Sequence, residues 1–374
     1  MRPTRICFGY HWATSGGVER VFLNRSEALL RRYPKLEIEI YFKYDCGGVA
    51  LIERYSQARK LGDRLRVVKT FDPSRYAAIL VVDTPQILVD HPSIQDKAYM
   101  ECHTAYAKHR TYLQEWQTRL KGLIVPSSGF LRVIEDECPG LRGRVKVVRN
   151  FVPRLPEIDR LPSLPAWRAP LFLYFGRIDG HKNLGEFIDG VCSASHNLRK
   201  ETLGIICGQI DPAYSLMEAI EKSHARGTIA VLPPVPFENA PVILKMMRQK
   251  KAVFVSCSTG ESFGLSVAEA MTAGLPVILS DIPAHATLVA NRAKFLYPLG
   301  DVRELARKMA AVAGQYDELA EECLELSREF SEDAFLADWE GVFGEECQSW
   351  GEPVARLETE LSSPVKTRAT SLGV

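Results

Sequence analysis

Between Pro153 and Pro170 the chain carries five prolines: Pro153, Pro156, Pro162, Pro165 and Pro170. Each one fixes φ and removes a backbone donor, so neither a helix interior nor a central strand tolerates that density. The stretch 153–170 therefore reads as a linker. It cuts a chain of 374 residues into two parts, each large enough to bury its own core. On both sides of it, short apolar runs alternate with segments of helical spacing. Arg5–Tyr10, Glu37–Phe42, Ala78–Val82, Gly122–Val125 and Val145–Val148 read as strands before it. Leu171–Phe175, Gly204–Cys207, Thr228–Leu232, Ala252–Ser256, Pro276–Leu279 and Lys294–Leu296 read as strands after it. Val18, Phe22, Leu29 and Tyr33 share one helical face, as do Leu305, Met309, Val312, Tyr316 and Leu319. Such alternation predicts an α/β chain of two doubly wound, Rossmann-like parallel-sheet domains. Ligands of these sheets sit beyond the carboxyl ends of the strands, which directs attention to a cleft between the domains. The bounds expected are 1–152 and 171–332, with a final helix near 333–350 crossing back onto the first domain. A polar tail at 351–374 is expected to be flexible.

Composition removes several function classes. Charged residues make up 25% of the chain and its formal net charge is +1, so nothing global points to nucleic acid. No apolar run approaches the roughly 18 residues that a membrane-crossing helix needs. Met1–Trp12 has no apolar signal core, and the nine cysteines include no C-x-x-C pair. The expectation is a cytoplasmic protein with reduced thiols. The charge is unevenly spread, however. Residues 1–152 hold 25 Lys and Arg against 16 Asp and Glu, which permits peripheral contact with an anionic membrane face.

Four segments could carry chemistry. The first is Thr259-Gly-Glu-Ser-Phe-Gly-Leu-Ser-Val-Ala-Glu269, between two predicted strands. Here Glu261 falls in a loop, Phe263, Gly264 and Leu265 open a helix, and Glu269 lies about two turns in. Free N–H groups at such a helix start attract anions, and the two acids can accept sugar or ribose hydroxyls. Ser266 and Glu269 equally fit a capping box with no ligand at all. The second segment is Gly176-Arg177…Lys182-Asn183, directly after the first strand of the second domain, where Arg177 and Lys182 can grip a diphosphate. Gly16-Gly17 forms the third, in the first strand-to-helix turn, where backbone can approach a ligand closely. It is not G-x-G-x-x-G, which disfavours a nicotinamide oxidoreductase. The fourth is His103, at the end of a short strand around Tyr99–Glu101 that points toward the cleft. No Asp-x-Asp, G-x-S-x-G or Walker-type loop occurs.

In order and spacing these segments resemble the family-4 retaining glycosyltransferases of the GT-B fold. The most specific parts are Glu261 to Glu269 as E-x(7)-E and Gly176-Arg177…Lys182-Asn183. Weaker matches lie at Gly16-Gly17, His103, Val125-Pro-Ser-Ser128 and Arg149-Asn-Phe-Val152. The resemblance implies that Arg177 and Lys182 hold the donor diphosphate and that Glu269 holds the ribose. It also implies that Glu261 contacts the transferred sugar, with Phe263, Gly264 and Leu265 offering backbone groups nearby. Gly16 and Gly17 would close over the phosphates, and His103 would face the reacting centre. The family often has an acid where Thr104 stands and a glycine where Phe151 stands. The implied reaction moves a hexose from a nucleotide-diphosphate sugar, with no metal and no cofactor, to a glycan, lipid-linked or small-molecule acceptor. Rival readings on the same architecture are a nucleotide-sugar epimerase, a phosphorylase, or a non-catalytic nucleotide-sugar-binding subunit.

Overall fold

The computed structural model describes residues 4–14, 16–94, 98–116, 121–156, 158, 161–162, 169–223, 225, 227–348, 350 and 353–354. Half of the expected linker and almost all of the tail at 351–374 lie outside these residues.

Two parallel sheets organise the chain. The first holds β1 (Thr4–Ala13), β2 (Leu36–Asp45), β3 (Leu65–Val68), β4 (Ala78–Val82), β5 (Ala98–Glu101), β6 (Gly122–Val125) and β7 (Val145–Val147). Its spatial order is β3-β2-β1-β4-β5-β6-β7. The second holds β8 (Leu171–Phe175), β9 (Leu203–Cys207), β10 (Ile229–Leu232), β11 (Val253–Ser256), β12 (Val277–Ser280) and β13 (Leu296–Tyr297), in the order β10-β9-β8-β11-β12-β13. Every strand pair is parallel. In both sheets the strand order reverses next to the first strand. That reversal opens a crevice at the carboxyl ends of β1 and β4, and another at those of β8 and β11. Central strands such as Ala78–Val82 and Leu171–Phe175 are buried along their whole length, because helices cover both sheet faces.

The last helix, Glu332–Gln348, does not pack on the second sheet that precedes it. Phe335, Trp339 and Phe343 are buried in the core of the first sheet. Phe335 stacks on Phe151 at 4.9 Å, Trp339 meets Phe8 edge-on at 6.4 Å, and Phe343 meets Tyr99 at 4.8 Å. Arg149 fastens the helix by donating from Nε to Asp338 at 2.6 Å. The Arg149-Asn-Phe-Val152 segment is thus the seat of this helix. Among the described residues, no helix is long and apolar enough to cross a membrane.

Candidate active site

The loop after β8 is shaped by its own acid. Asp179 accepts the N–H groups of His181 at 2.9 Å and Lys182 at 3.1 Å, and its other oxygen holds the Arg177 guanidinium at 2.6 Å. The Arg177 side chain stays 61% exposed, so it is anchored yet open to a ligand. Lys182 turns the other way and forms an ion pair with Glu261. Ser258 donates a further hydrogen bond to that carboxylate at 3.0 Å. Burial alone would raise the Glu261 carboxyl, but the Lys182 charge holds it below the usual range.

Gly264 makes the next turn. It sits at φ +93 as the residue that caps the helix Leu265–Thr272, a left-handed conformation costly for any side chain. Because Gly264 takes that place, Ser266 and Glu269 do not form the capping box that the sequence also allowed. Phe263 points into the core, edge-on to Phe330 at 6.1 Å. Beneath the turn lies His285, fully buried between the hydroxyls of Ser256 (3.4 Å) and Ser280 (3.2 Å). Burial pushes its imidazole down to about 4, so at neutral pH this bed carries no charge. Glu269, also buried, forms an ion pair with Arg20 of the first domain, while its other oxygen has no partner.

The first domain supplies the opposite wall. Glu19 folds the glycine turn, accepting from the N–H of Thr14 at 2.5 Å and of Gly16 at 3.1 Å. A side chain at Gly17 would meet nothing within 4 Å, so its backbone faces open space. His103 is clamped twice: its ring Nε2 lies 2.8 Å from Glu101, and its backbone N–H reaches Asp83 at 3.0 Å. Glu101 is itself held by a buried two-pronged contact from Arg25, at 2.7 and 2.8 Å. Burial would raise the Glu101 carboxyl, but Arg25 and His103 hold it low. An ionised Glu101 can accept a hydrogen bond from Nε2–H, which ties the ring to this wall. Asp83 sits at φ +44, in the left-handed region, just past β4. It also accepts the Tyr112 hydroxyl at 2.8 Å. Loss of water raises its carboxyl, against the pull of His103 and Tyr112. Tyr10, His11, Trp12, Asp83, Thr104 and His109 line a cavity of about 390 Å³.

The walls touch. Tyr106 stacks on His181 at 3.7 Å, and Ser127 donates to the Ser262 carbonyl at 2.7 Å. A Cβ on Gly129 would fall 2.5 Å from the Pro283 carbonyl oxygen. Of the residues expected from sequence, Lys182 and Glu261 meet directly, and Arg177 shares their loop through Asp179. Glu269 meets the first domain, and the contacts of His103 stay within its own. Arg20, Asp83, Glu101 and His285 were not expected. Arg20 closes the segment of the glycine turn and Glu101 ends the strand before His103, but only the return of distant strands to one cleft gives these residues their partners.

Residues 161–330 match the family described as "Glycosyl transferases group 1". The HepE protein of Anabaena, solved with UDP and glucose, superposes with a TM-score of 0.71 at 15% identity, covering 92% of this chain and 100% of that one. The fold is GT-B, and residues 161–330 are similar to the group 1 family. The O-antigen chain mannosyltransferase RfbU of Salmonella typhimurium is 34% identical over 129 residues, 34% of either chain. The GDP-mannose:cellobiosyl-diphosphopolyprenol alpha-mannosyltransferase of Xanthomonas campestris is 31% identical over 151 residues, 40% of this chain and 37% of its own. These matches span only about a third of each curated relative. In the GT-B frame, the Arg177 loop and Glu261–Glu269 line the second-domain wall of the cleft, opposite the turn at Gly16 and the strand end at His103.

Proposed function

We propose that this chain is a retaining hexosyltransferase acting on a nucleotide-diphosphate sugar without a metal ion. The observation that carries the reading is the joint presentation of Arg177, Lys182 and Glu261 on one wall of the cleft. Arg177 and Lys182 would take up the negative charge that gathers on the diphosphate as its bond to the sugar breaks. Glu261, freed from Lys182, would accept hydroxyls of the sugar, and Glu269 those of the ribose. His103 would offer its open ring nitrogen to the sugar from the other wall. The bond from the anomeric carbon to the diphosphate oxygen breaks, and the acceptor oxygen bonds to that carbon on the same face. The acceptor proton passes to the departing phosphate oxygen, so no protein base is assigned.

Residues 1–152 with 333–350 would form the acceptor-side unit, and 171–332 the donor-side unit. The relatives are mannosyltransferases by name, which makes GDP-mannose the first donor to try. The cation excess in residues 1–152 supports an acceptor presented at the cytoplasmic face of an anionic membrane. The test is incubation with GDP-mannose, UDP-glucose and UDP-N-acetylglucosamine plus saccharide and polyprenyl-diphosphate acceptors, with and without EDTA. Mass spectrometry and anomeric proton coupling read the product. Transfer with retained configuration, unchanged by EDTA, is expected. Epimerised donor without an acceptor, or a requirement for inorganic phosphate, would assign a rival chemistry.

A further inference from the structure

One feature of the first-domain wall has no part in donor chemistry. Trp12 and Tyr44 stand directly opposite each other in the pairing of β1 and β2. Their rings stack at 5.0 Å with 28° between planes, and His11 meets both, at 4.2 and 5.1 Å. Trp12 is 45% exposed and Tyr44 51%. A pair of large rings held in register and left in water marks a surface kept for contact. The cavity that Trp12 borders has Asp83 in its lining, together with Tyr10 and Thr104. Asp83 also accepts the His103 backbone N–H at 3.0 Å, so the cavity adjoins the strand end that carries His103.

We propose that Trp12 and Tyr44 form the platform on which a pyranose ring of the acceptor stacks, with Asp83 receiving its hydroxyls; this makes the acceptor a saccharide, and it rests on the transferase reading above. The C–H bonds on one face of a pyranose are weakly positive and suit the negative face of an aromatic ring. Hydroxyls around its edge suit a carboxylate acceptor. A volume of about 390 Å³ falls in the range of roughly 300–1,000 Å³ usual for small-ligand sites. The electrostatics disfavour an acceptor held here by its phosphate. Asp83 would repel it, and Lys43, the cation acting on His11, is already paired with Asp90 at 2.7 Å.

The experiment measures saccharide binding by saturation-transfer NMR and titration, with methyl α-mannoside, mannobiose and cellobiose as probes. GDP and UDP are titrated separately. Wild type should bind at least one saccharide. Trp12→Ala should weaken that binding about tenfold, the loss of one good aromatic contact, and Tyr44→Ala should weaken it less. Trp12→Phe should restore most of it, and circular dichroism should show both alanine variants folded. Nucleotide affinity should not move. Saccharide affinity that ignores Trp12→Ala, or no saccharide binding by wild type, overturns the proposal. So does Trp12-dependent binding to anionic phospholipid vesicles in place of saccharide. Loss of nucleotide binding by wild type would instead sink the transferase reading, while the saccharide titration still decides the platform.

Discussion

The two walls of the cleft hold their ligand-facing groups by opposite means. On the second-domain wall every central cation already has an acid from its own domain: Lys182 has Glu261 and Arg177 has Asp179. On the first-domain wall Trp12 and Tyr44 stand as exposed rings, Arg20 reaches across to Glu269, and Arg25, Glu101 and His103 lie deeper. A wall of paired charges takes a ligand by exchanging partners and therefore favours one kind of polyanion. A wall of rings works by contact area and shape, which a change at a strand end can readily re-aim. The family resemblance follows this division, since the group 1 match at 161–330 covers the charged wall only.

The largest expected effect comes from Lys182→Ala. Removing a preorganised cation beside developing charge should cost turnover about 10²-fold or more, by analogy with an oxyanion donor. Steady-state kinetics showing near-normal kcat would mean that the charged wall is structural only. Next is Gly129→Val, which asks whether the walls must meet. A branched side chain there runs into the backbone at Pro283, and the seam must open. Transfer should fall about tenfold or more, nucleotide affinity should hold, and small-angle scattering should show a longer particle. Equal transfer in that variant would separate the seam from the chemistry. The smallest effect concerns the neutral bed under the charged wall. His285 is held down to about 4 from the ordinary 6.5, so over that interval the unfolded chain binds a proton that the folded one refuses. Stability is then full above about pH 6.5 and falls as pH drops toward 4. A Tm series should fall less steeply over this window in His285→Asn than in wild type. Parallel slopes would show that the imidazole titrates normally in the fold.

The sheet architecture was legible because strands covered on both faces appear as unbroken apolar runs, such as Ala78–Val82. Two departures teach the same point: the strand expected at Lys294–Leu296 begins only at Leu296, after a short helical turn at Ala293–Phe295, and an edge strand went unexpected. β3, Leu-Arg-Val-Val at Leu65–Val68, is an edge strand only partly buried, and its sequence carries no such run. The charged wall was legible because Arg177, Lys182, Glu261 and Glu269 fall in two short segments next to strand ends. Ser266 with Glu269 resembled a cap only because the positive φ of Gly264 cannot be seen in a sequence. Arg20 and Glu101 stand beside segments the sequence singles out, yet nothing there marks their roles or that of Asp83. Each is an ordinary residue whose meaning comes from a neighbour 20 to 249 positions away, as Asp83 is defined by His103 and Arg20 by Glu269.

That last contact bears on how the proposed transferase would turn over. With Arg20 seated on Glu269, the place proposed for the pentose is already taken: an incoming nucleotide would have to evict a resident guanidinium, and a spent one would leave with that same group ready to return. Occupancy at this position is substitution in both directions. It would temper how tightly product is retained, and it would make the opening and closing of the molecule answer to what lies between its halves.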